Sequence, residues 1–329
     1  MSGGWLDRFK LRHGIVMKAV SGEAASAKRV DTTAWEAELQ DILKKFEPRD
    51  IYNADETGLF YKCLPNKSLA FQGETCTGQK VPKDRISLLC AANLAGEKLP
   101  LLAIGKYEKP RCFKNIRTLP VTYRSNMKAW MTGKLFEEWV QKLDRQFVLQ
   151  GRSIALIIDN CSAHPPISDL RAIEIFFLPP NTTSLLQPCD QGIIETYKTL
   201  YRKRVLRRFI DSYEETGSTT SHFKMNLLDT LIIAAASWND IESTTIQKCF
   251  KHAGFVKRNP VDSEAGSAQA PFSPDPVTTV SDTSAQQNLS DFTNLFERFS
   301  NLTGATDLSV DISTLTSQRQ QQRNCLYQK

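Results

Sequence analysis

Ile154-Ala155-Leu156-Ile157-Ile158 is an unbroken apolar run, halted by Asp159-Asn160. A strand with one face in water would show polar residues at every second position. A run that is apolar throughout is how a strand buried on both faces reads. Outward from it, helical and strand periods interleave. Upstream, Gly133 to Val148 places Leu135, Phe136, Trp139, Val140, Leu143 and Phe147 on one face of a helix. Downstream, Ile173 to Leu178 is a strand closed by Pro179-Pro180, and Asp190 to Ile210 a long helix. That helix turns Ile193, Tyr197, Leu200, Tyr201, Val205 and Phe209 inward. Its outer side carries Lys198, Arg202, Lys203, Arg204, Arg207 and Arg208.

Further upstream, Trp35 to Phe46 has helical period and Pro48 marks its end. Ile51 to Asp55 is a short strand ending in acid. Ile86 to Asn93 and Leu99 to Ile104 are strands joined by a hairpin-length connection containing Gly96, and Val121 to Tyr123 offers one more short strand. Phe223 to Trp238 and Thr244 to His252 complete the body as helices. The expected class is α/β. Organisation reads as residues 1–20, a short basic amphipathic helix; 21–31, a small polar linker; 32–215, the main domain; 216–257, its helical extension; and 258–329, a Ser/Thr/Gln-rich tail of disordered composition. Within the tail, Phe292 to Phe299 has the pattern of a short partner-binding helix or a transient turn.

The chain has 329 residues, 41% apolar and 24% charged, with a net charge of +6. These values exclude a wholly disordered chain, a collagen and a coiled coil. No apolar run reaches ~18 residues, so no membrane span is expected. The N-terminus lacks a secretory h-region, so an intracellular protein is expected. The eight cysteines never form a C-x-x-C pair and there are only four histidines, so a structural zinc site is not expected.

Gly73 to Lys80 nearly matches a phosphate-binding loop. Gln79, however, stands at the lysine position and Lys80 at the Ser/Thr position, which removes both the phosphate's charge partner and the metal's hydroxyl ligand. A better constellation is Asp55, Asp159 and Asp190, each at the end or start of a regular element. The 30 residues between the second and third are enough chain to return both to one sheet end. Carboxylates that converge repel one another unless a cation joins them. Mg²⁺, or Mn²⁺, takes hard oxygen ligands, and two such ions about 4 Å apart suit in-line phosphoryl transfer. Taken singly, each acid also has an ordinary reading: a turn starter, an Asx turn and a helix N-cap.

Asn53-Ala54-Asp55-Glu56-Thr57-Gly58, Asp159-Asn160-Cys161-Ser162-Ala163-His164, Leu178 to Ser184 and Gln187-Pro188-Cys189-Asp190-Gln191-Gly192 together resemble the pogo/Tigger branch of the Tc1/mariner transposases. Trp5 to Ile15 is similar to the last helix of the centromere-protein-B-type helix-turn-helix that precedes the nuclease in that branch. The resemblance implies an RNase H-like mixed five-stranded sheet flanked by helices, with a helical C-terminal extension. It also implies metal-dependent DNA cleavage and strand transfer by a DDE endonuclease domain, DNA as partner, a nuclear location, and Asp55, Asp159 and Asp190 as ligands of two Mg²⁺ or Mn²⁺ ions. No small-molecule substrate is expected, and a homodimer is an expected assembly. Many relatives are domesticated, so a non-catalytic nuclear DNA-binding or oligomerising protein that keeps the fold is the alternative.

Glu195 rivals Asp190 as third ligand, since 35 residues separate it from Asp159. Five residues along a helix rotate a side chain by about 140°, so the two do not easily serve one site. The Gln-Pro-x-Asp-Gln-Gly context favours Asp190. His164 matches a family position near the site. Lys198, Arg202, Lys203 and Arg207 are the expected phosphate contacts, with Lys106, Lys109, Arg111, Lys114 and Arg117 as a second basic group. A solvated helix face is the plain alternative for the first group.

Overall fold

The computed structural model describes residues 32–61, 84–216 and 225–257. The strands are β1 (Ile51–Phe60), β2 (Arg85–Asn93), β3 (Leu102–Gly105), β4 (Thr122–Ser125), β5 (Ile154–Ile158) and β6 (Ile173–Phe177). The helices are α1 (Thr33–Lys45), α2 (Gly133–Leu149), α3 (Thr183–Leu186), α4 (Ile193–Thr216), α5 (Leu227–Asn239) and α6 (Ser243–His252). The strands form one sheet in the order β4-β3-β2-β1-β5-β6. Neighbours β1, β2 and β3 run antiparallel, while β5 and β6 run parallel to β1. This is the expected RNase H-like mixed arrangement with one strand more than the five expected. The sixth is β4, which adds parallel to the edge strand β3 from Leu102↔Thr122 to Gly105↔Ser125. It takes up the short strand read at Val121 to Tyr123, shifted to Thr122–Ser125.

Side-chain alternation sorts the core into two layers. Ala155 and Ile157 of β5 face a cluster with Trp35, Leu39 and Ile42 of α1, Tyr197 and Tyr201 of α4, Trp238 of α5 and Phe250 of α6. Ile154, Leu156 and Ile158 face Phe136, Val140, Leu143 and Phe147 of α2. A strand covered by helices on both sides has no solvated face on which to place polar residues, which is why β5 is apolar at every position. Among the described residues no helix is long and apolar enough to cross a membrane.

Local sequence sets the ends of these elements. The Thr132 hydroxyl caps α2 by accepting from the Leu135 N–H, and Asn226 with Asp229 forms a reciprocal capping box at the start of α5. Helix α5 therefore starts at Leu227 rather than at Phe223. Gly96 turns the β2–β3 connection at φ +95° and lies so close to α6 that a Cβ there would sit 2.6 Å from the Ser243 Cβ. Strand β1 is longer than expected, because Glu56 to Phe60 keep pairing with β2 down to Phe60↔Arg85. The sequence readings at residues 5–15, 73–80 and 292–299, with the linker and the tail, lie outside the described residues.

Candidate active site

Strands β1 and β5 pair only over Ile51↔Ala155, Tyr52↔Leu156 and Asn53↔Ile157. Continuing that register by two steps sets Asp55 level with Asp159. Both acids thus stand just past the point where the two parallel strands separate. By alternation Asp55 shares its face with Ile51 and Asn53, the face covered by α4. On its other side Asp55 is in register with Cys90 of β2.

The third acid arrives by a buried hydrogen-bond network. Asn53 has no exposed surface. Its amide nitrogen donates to the Ile157 carbonyl at 2.9 Å and to Gln187 Oε1 at 2.8 Å, and its oxygen accepts from the Cys189 N–H at 2.9 Å. Gln187, equally buried, donates to the Ala54 carbonyl at 3.2 Å. Two side-chain amides therefore clip the Gln187–Gly192 segment to β1 beside Asp55. From behind, Gln191 donates to the Ser184 carbonyl and meets the His252 ring, which ties the segment to α3 and α6.

Asp190 does not open the long helix, contrary to the sequence expectation. It lies in a 3-10 turn, Pro188–Gln191, and the next residue but one, Gly192, takes φ +139°. That angle breaks the chain direction before α4 begins at Ile193. The turn, and not helix capping, aims Asp190.

Asp190 and Asp159 lie close enough to Asp55 for their charges to act on its carboxyl. The Asp55 carboxyl is held well above the usual carboxylate range, first by burial and then by the charges of Asp190, Asp159 and Glu56, against a hydrogen bond from the Glu56 backbone. The neighbouring Cys90 and Cys189 thiols are pushed up by burial and by the same Asp55 charge. Glu195, by contrast, is exposed on α4.

Two cationic side chains border the acids. Burial, with repulsion from Arg202, pushes Lys198 down to about 8, against attraction from Cys90, Asp190 and Asp55. Lys198 is half-buried on α4, within electrostatic reach of Asp190 and Asp55. His164 is 3% exposed. Its Nδ1 is 2.7 Å from Asp159 Oδ1 and 3.4 Å from Cys161 Sγ, and its Nε2 is 3.0 Å from Glu56 Oε1. Burial opposes a charged imidazolium, but hydrogen bonds to Asp159, Cys161 and Glu56 outweigh it and hold the ring's pKa far above the ordinary histidine value. The ring also packs against Phe136, with centroids 4.4 Å apart.

The outer basic residues divide. Arg207 is exposed, while Arg204 is engaged by Asp240 and Arg208 by Asp229 at 3.0 Å. Arg202 and Lys203 are half-buried. Lys106, Lys109, Arg111, Lys114 and Arg117 are all exposed on the β3–β4 connection. Sequence reasoning missed Asn53, Gln187, Glu56 and Cys161 as members of the site. The available signal was an amide side chain within each acidic motif, next to residues that are otherwise apolar.

Residues 83–250 match the model of the DDE superfamily endonucleases, about half the chain, and the chain belongs to that family. The match takes in Asp159 and Asp190 but begins after β1, so the sheet, and not the match, joins Asp55 to them. Tigger transposable element-derived protein 4 of Mus musculus is 41% identical over 256 residues, 77% of this chain and 49% of the relative. CENP-B homolog protein 2 of Schizosaccharomyces pombe is 33% identical over 273 residues, 78% of this chain and 51% of the relative. The chain spans about half the length of the curated relatives it matches. Among solved structures, the Mos1 mariner paired end complex with Mn aligns over 76% of this chain and 67% of that chain, with 12% identity and a TM-score of 0.41.

Proposed function

We propose that this chain is the catalytic portion of a transposase-derived nuclear protein that cleaves DNA phosphodiesters and transfers the strand with a divalent metal. What supports the reading is geometric: the β1–β5 register sets Asp55 level with Asp159, and the Asn53 and Gln187 hydrogen bonds clip the turn that carries Asp190 beside Asp55. Three carboxylates held together by a buried amide network are unstable neighbours without positive charge, and their hard oxygen donors fit Mg²⁺ or Mn²⁺. Asp55, Asp159 and Asp190 would hold the ions, which supply activation of the attacking hydroxyl and neutralisation of the leaving oxygen.

The chain's own residues do the rest. Asn53 and Gln187 keep Asp190 in place on β1. His164 orients Asp159 from one side, and Glu56 fixes the His164 ring in turn. Arg207 of α4 and the exposed Lys106 to Arg117 group supply sequence-blind attraction to phosphates, with Arg202 and Lys203 alongside on α4. Such binding weakens steeply as salt rises.

A second reading, a domesticated DNA-binding protein without catalysis, is favoured by one observation. Lys198 and His164 already place positive charge against the acids. One experiment separates the two. Mg²⁺ or Mn²⁺ should raise the thermal midpoint of the protein and support nicking of supercoiled DNA, Asp190→Asn should abolish the nicking, and Glu195→Gln should spare it. Absence of both metal effects in the wild type leaves the non-catalytic reading standing.

A further inference from the structure

The loop after β5 carries two possible ligands, the Cys161 thiol and the His164 ring, that the three-aspartate chemistry does not use as metal donors. Asp159, Cys161 and His164 offer a carboxylate oxygen, a thiol sulfur and an imidazole nitrogen, all within 4.8 Å of one another. Oxygen-seeking ions such as Mg²⁺ have no use for a thiolate, whereas a thiolate–imidazole–carboxylate set suits zinc. We infer that Asp159, Cys161 and His164 form a zinc-type site, distinct in chemistry from the three-aspartate cluster although it shares Asp159 with it.

Three features support this. Tetrahedral zinc with ordinary bond lengths sets its sulfur and nitrogen ligands about 3.5 Å apart, and Cys161 Sγ lies 3.4 Å from His164 Nδ1. The opposite ring nitrogen, Nε2, is held 3.0 Å from Glu56 Oε1. A carboxylate behind the distal nitrogen of a histidine is the arrangement that fixes a metal-ligating ring and strengthens its basicity. Exposure is graded: His164 is buried and packed against Phe136, while Asp159 and Cys161 are half-buried. On binding, the Cys161 thiol proton and the His164 Nδ1 proton pass to solvent. Nε2–H then donates to Glu56, and Asp159 exchanges its ring contact for the ion.

The consequence is antagonism. An ion seated here withdraws Asp159 from the three-aspartate cluster, so on the nuclease reading zinc inhibits Mg²⁺-dependent nicking. The binding itself does not rest on that reading.

The test is titration of the full chain with Co²⁺ as an optical stand-in for Zn²⁺, in excess Mg²⁺, with Zn²⁺ affinity measured by chelator competition. The wild type should show a thiolate-to-cobalt charge-transfer band that Zn²⁺ displaces. Cys161→Ser should remove the band, and Glu56→Gln should keep it with affinity lower by about 10–100-fold. Asp190→Asn should keep the band and, by relieving Mg²⁺ competition for Asp159, leave Zn²⁺ affinity equal or higher, which separates this site from the aspartate cluster whether or not the protein nicks DNA. Should the serine variant lose its cooperative thermal transition, His164→Asn serves in its place and should weaken Zn²⁺ binding by about tenfold or more. No band in the wild type, a band that survives Cys161→Ser, or wild-type affinity in His164→Asn overturns the inference.

Discussion

Replacing Asn53 by Ala tests how the third aspartate is positioned. The side chain is fully buried and makes three hydrogen bonds, to the Ile157 carbonyl, Gln187 Oε1 and the Cys189 N–H. Each buried polar group that loses its partner costs roughly 1–3 kcal/mol. With partial relaxation, Asn53→Ala should cost about 3–5 kcal/mol, a large part of a domain stability of about 5–15 kcal/mol. Gln187→Ala breaks the same network from the other side. The double variant should therefore be less destabilised than the sum of the single ones by about 1–3 kcal/mol. Urea unfolding of the four proteins measures this directly. In parallel, the thermal stabilisation by Mn²⁺ should fall in Asn53→Ala, because the Gln187–Gly192 turn is no longer held against β1. A cost under about 1 kcal/mol, or single effects that add within about 0.5 kcal/mol, would refute the amide clip as the device that presents Asp190.

Three other outcomes are expected. Asp144, buried on α2, accepts from the backbone N–H groups of Arg171, Ala172 and Ile173 at 3.0, 2.8 and 3.1 Å, so Asp144→Ala should cost about 3 kcal/mol or more in urea unfolding, with Asp144→Asn milder. Gly96→Ala meets both a positive φ and the Ser243 backbone; it should lower stability by about 1–3 kcal/mol, and a neutral result would place α6 elsewhere. Burial holds Lys98 below its ordinary 10.5, against attraction from Asp240. Between that lowered value and 10.5 the unfolded chain binds more protons than the folded one. Stability should therefore rise with pH through this window, and Lys98→Met should flatten the rise in unfolding midpoints.

Much of the architecture was legible because its signals are local. The run Ile154 to Ile158 became β5 residue for residue, and the apolar stripe of residues 133–148 became α2, one residue longer. Where the expectation missed, a non-local contact decided. Glu56 to Phe60 look like a turn after an acid, and only pairing with β2 extends the strand through them. Residues 121–123 read as a short strand, and only pairing with the β3 edge makes residues 122–125 the sixth member of a sheet expected to have five. Asp190 looked like a helix cap because proline and acid commonly begin helices, yet Gly192 at φ +139° separates it from α4.

The site divides in the same way. Sequence alone determined which acids are available, since the motifs around Asp55, Asp159 and Asp190 are contiguous and each carries its own pattern. It also determined that β5 is buried on both faces, because alternation, or its absence, is written along a single strand. Only the tertiary structure decided what those acids meet: that Asn53 and Gln187 join two motifs 134 residues apart, that half-buried Lys198 comes within electrostatic reach of Asp190 and Asp55, and that His164 lies between Asp159 and Glu56. Hydrogen bonds and charge interactions act over a few ångströms whatever the separation along the chain, so these partnerships exist only once the sheet has brought β1, β5 and the Gln187–Gly192 turn to one place.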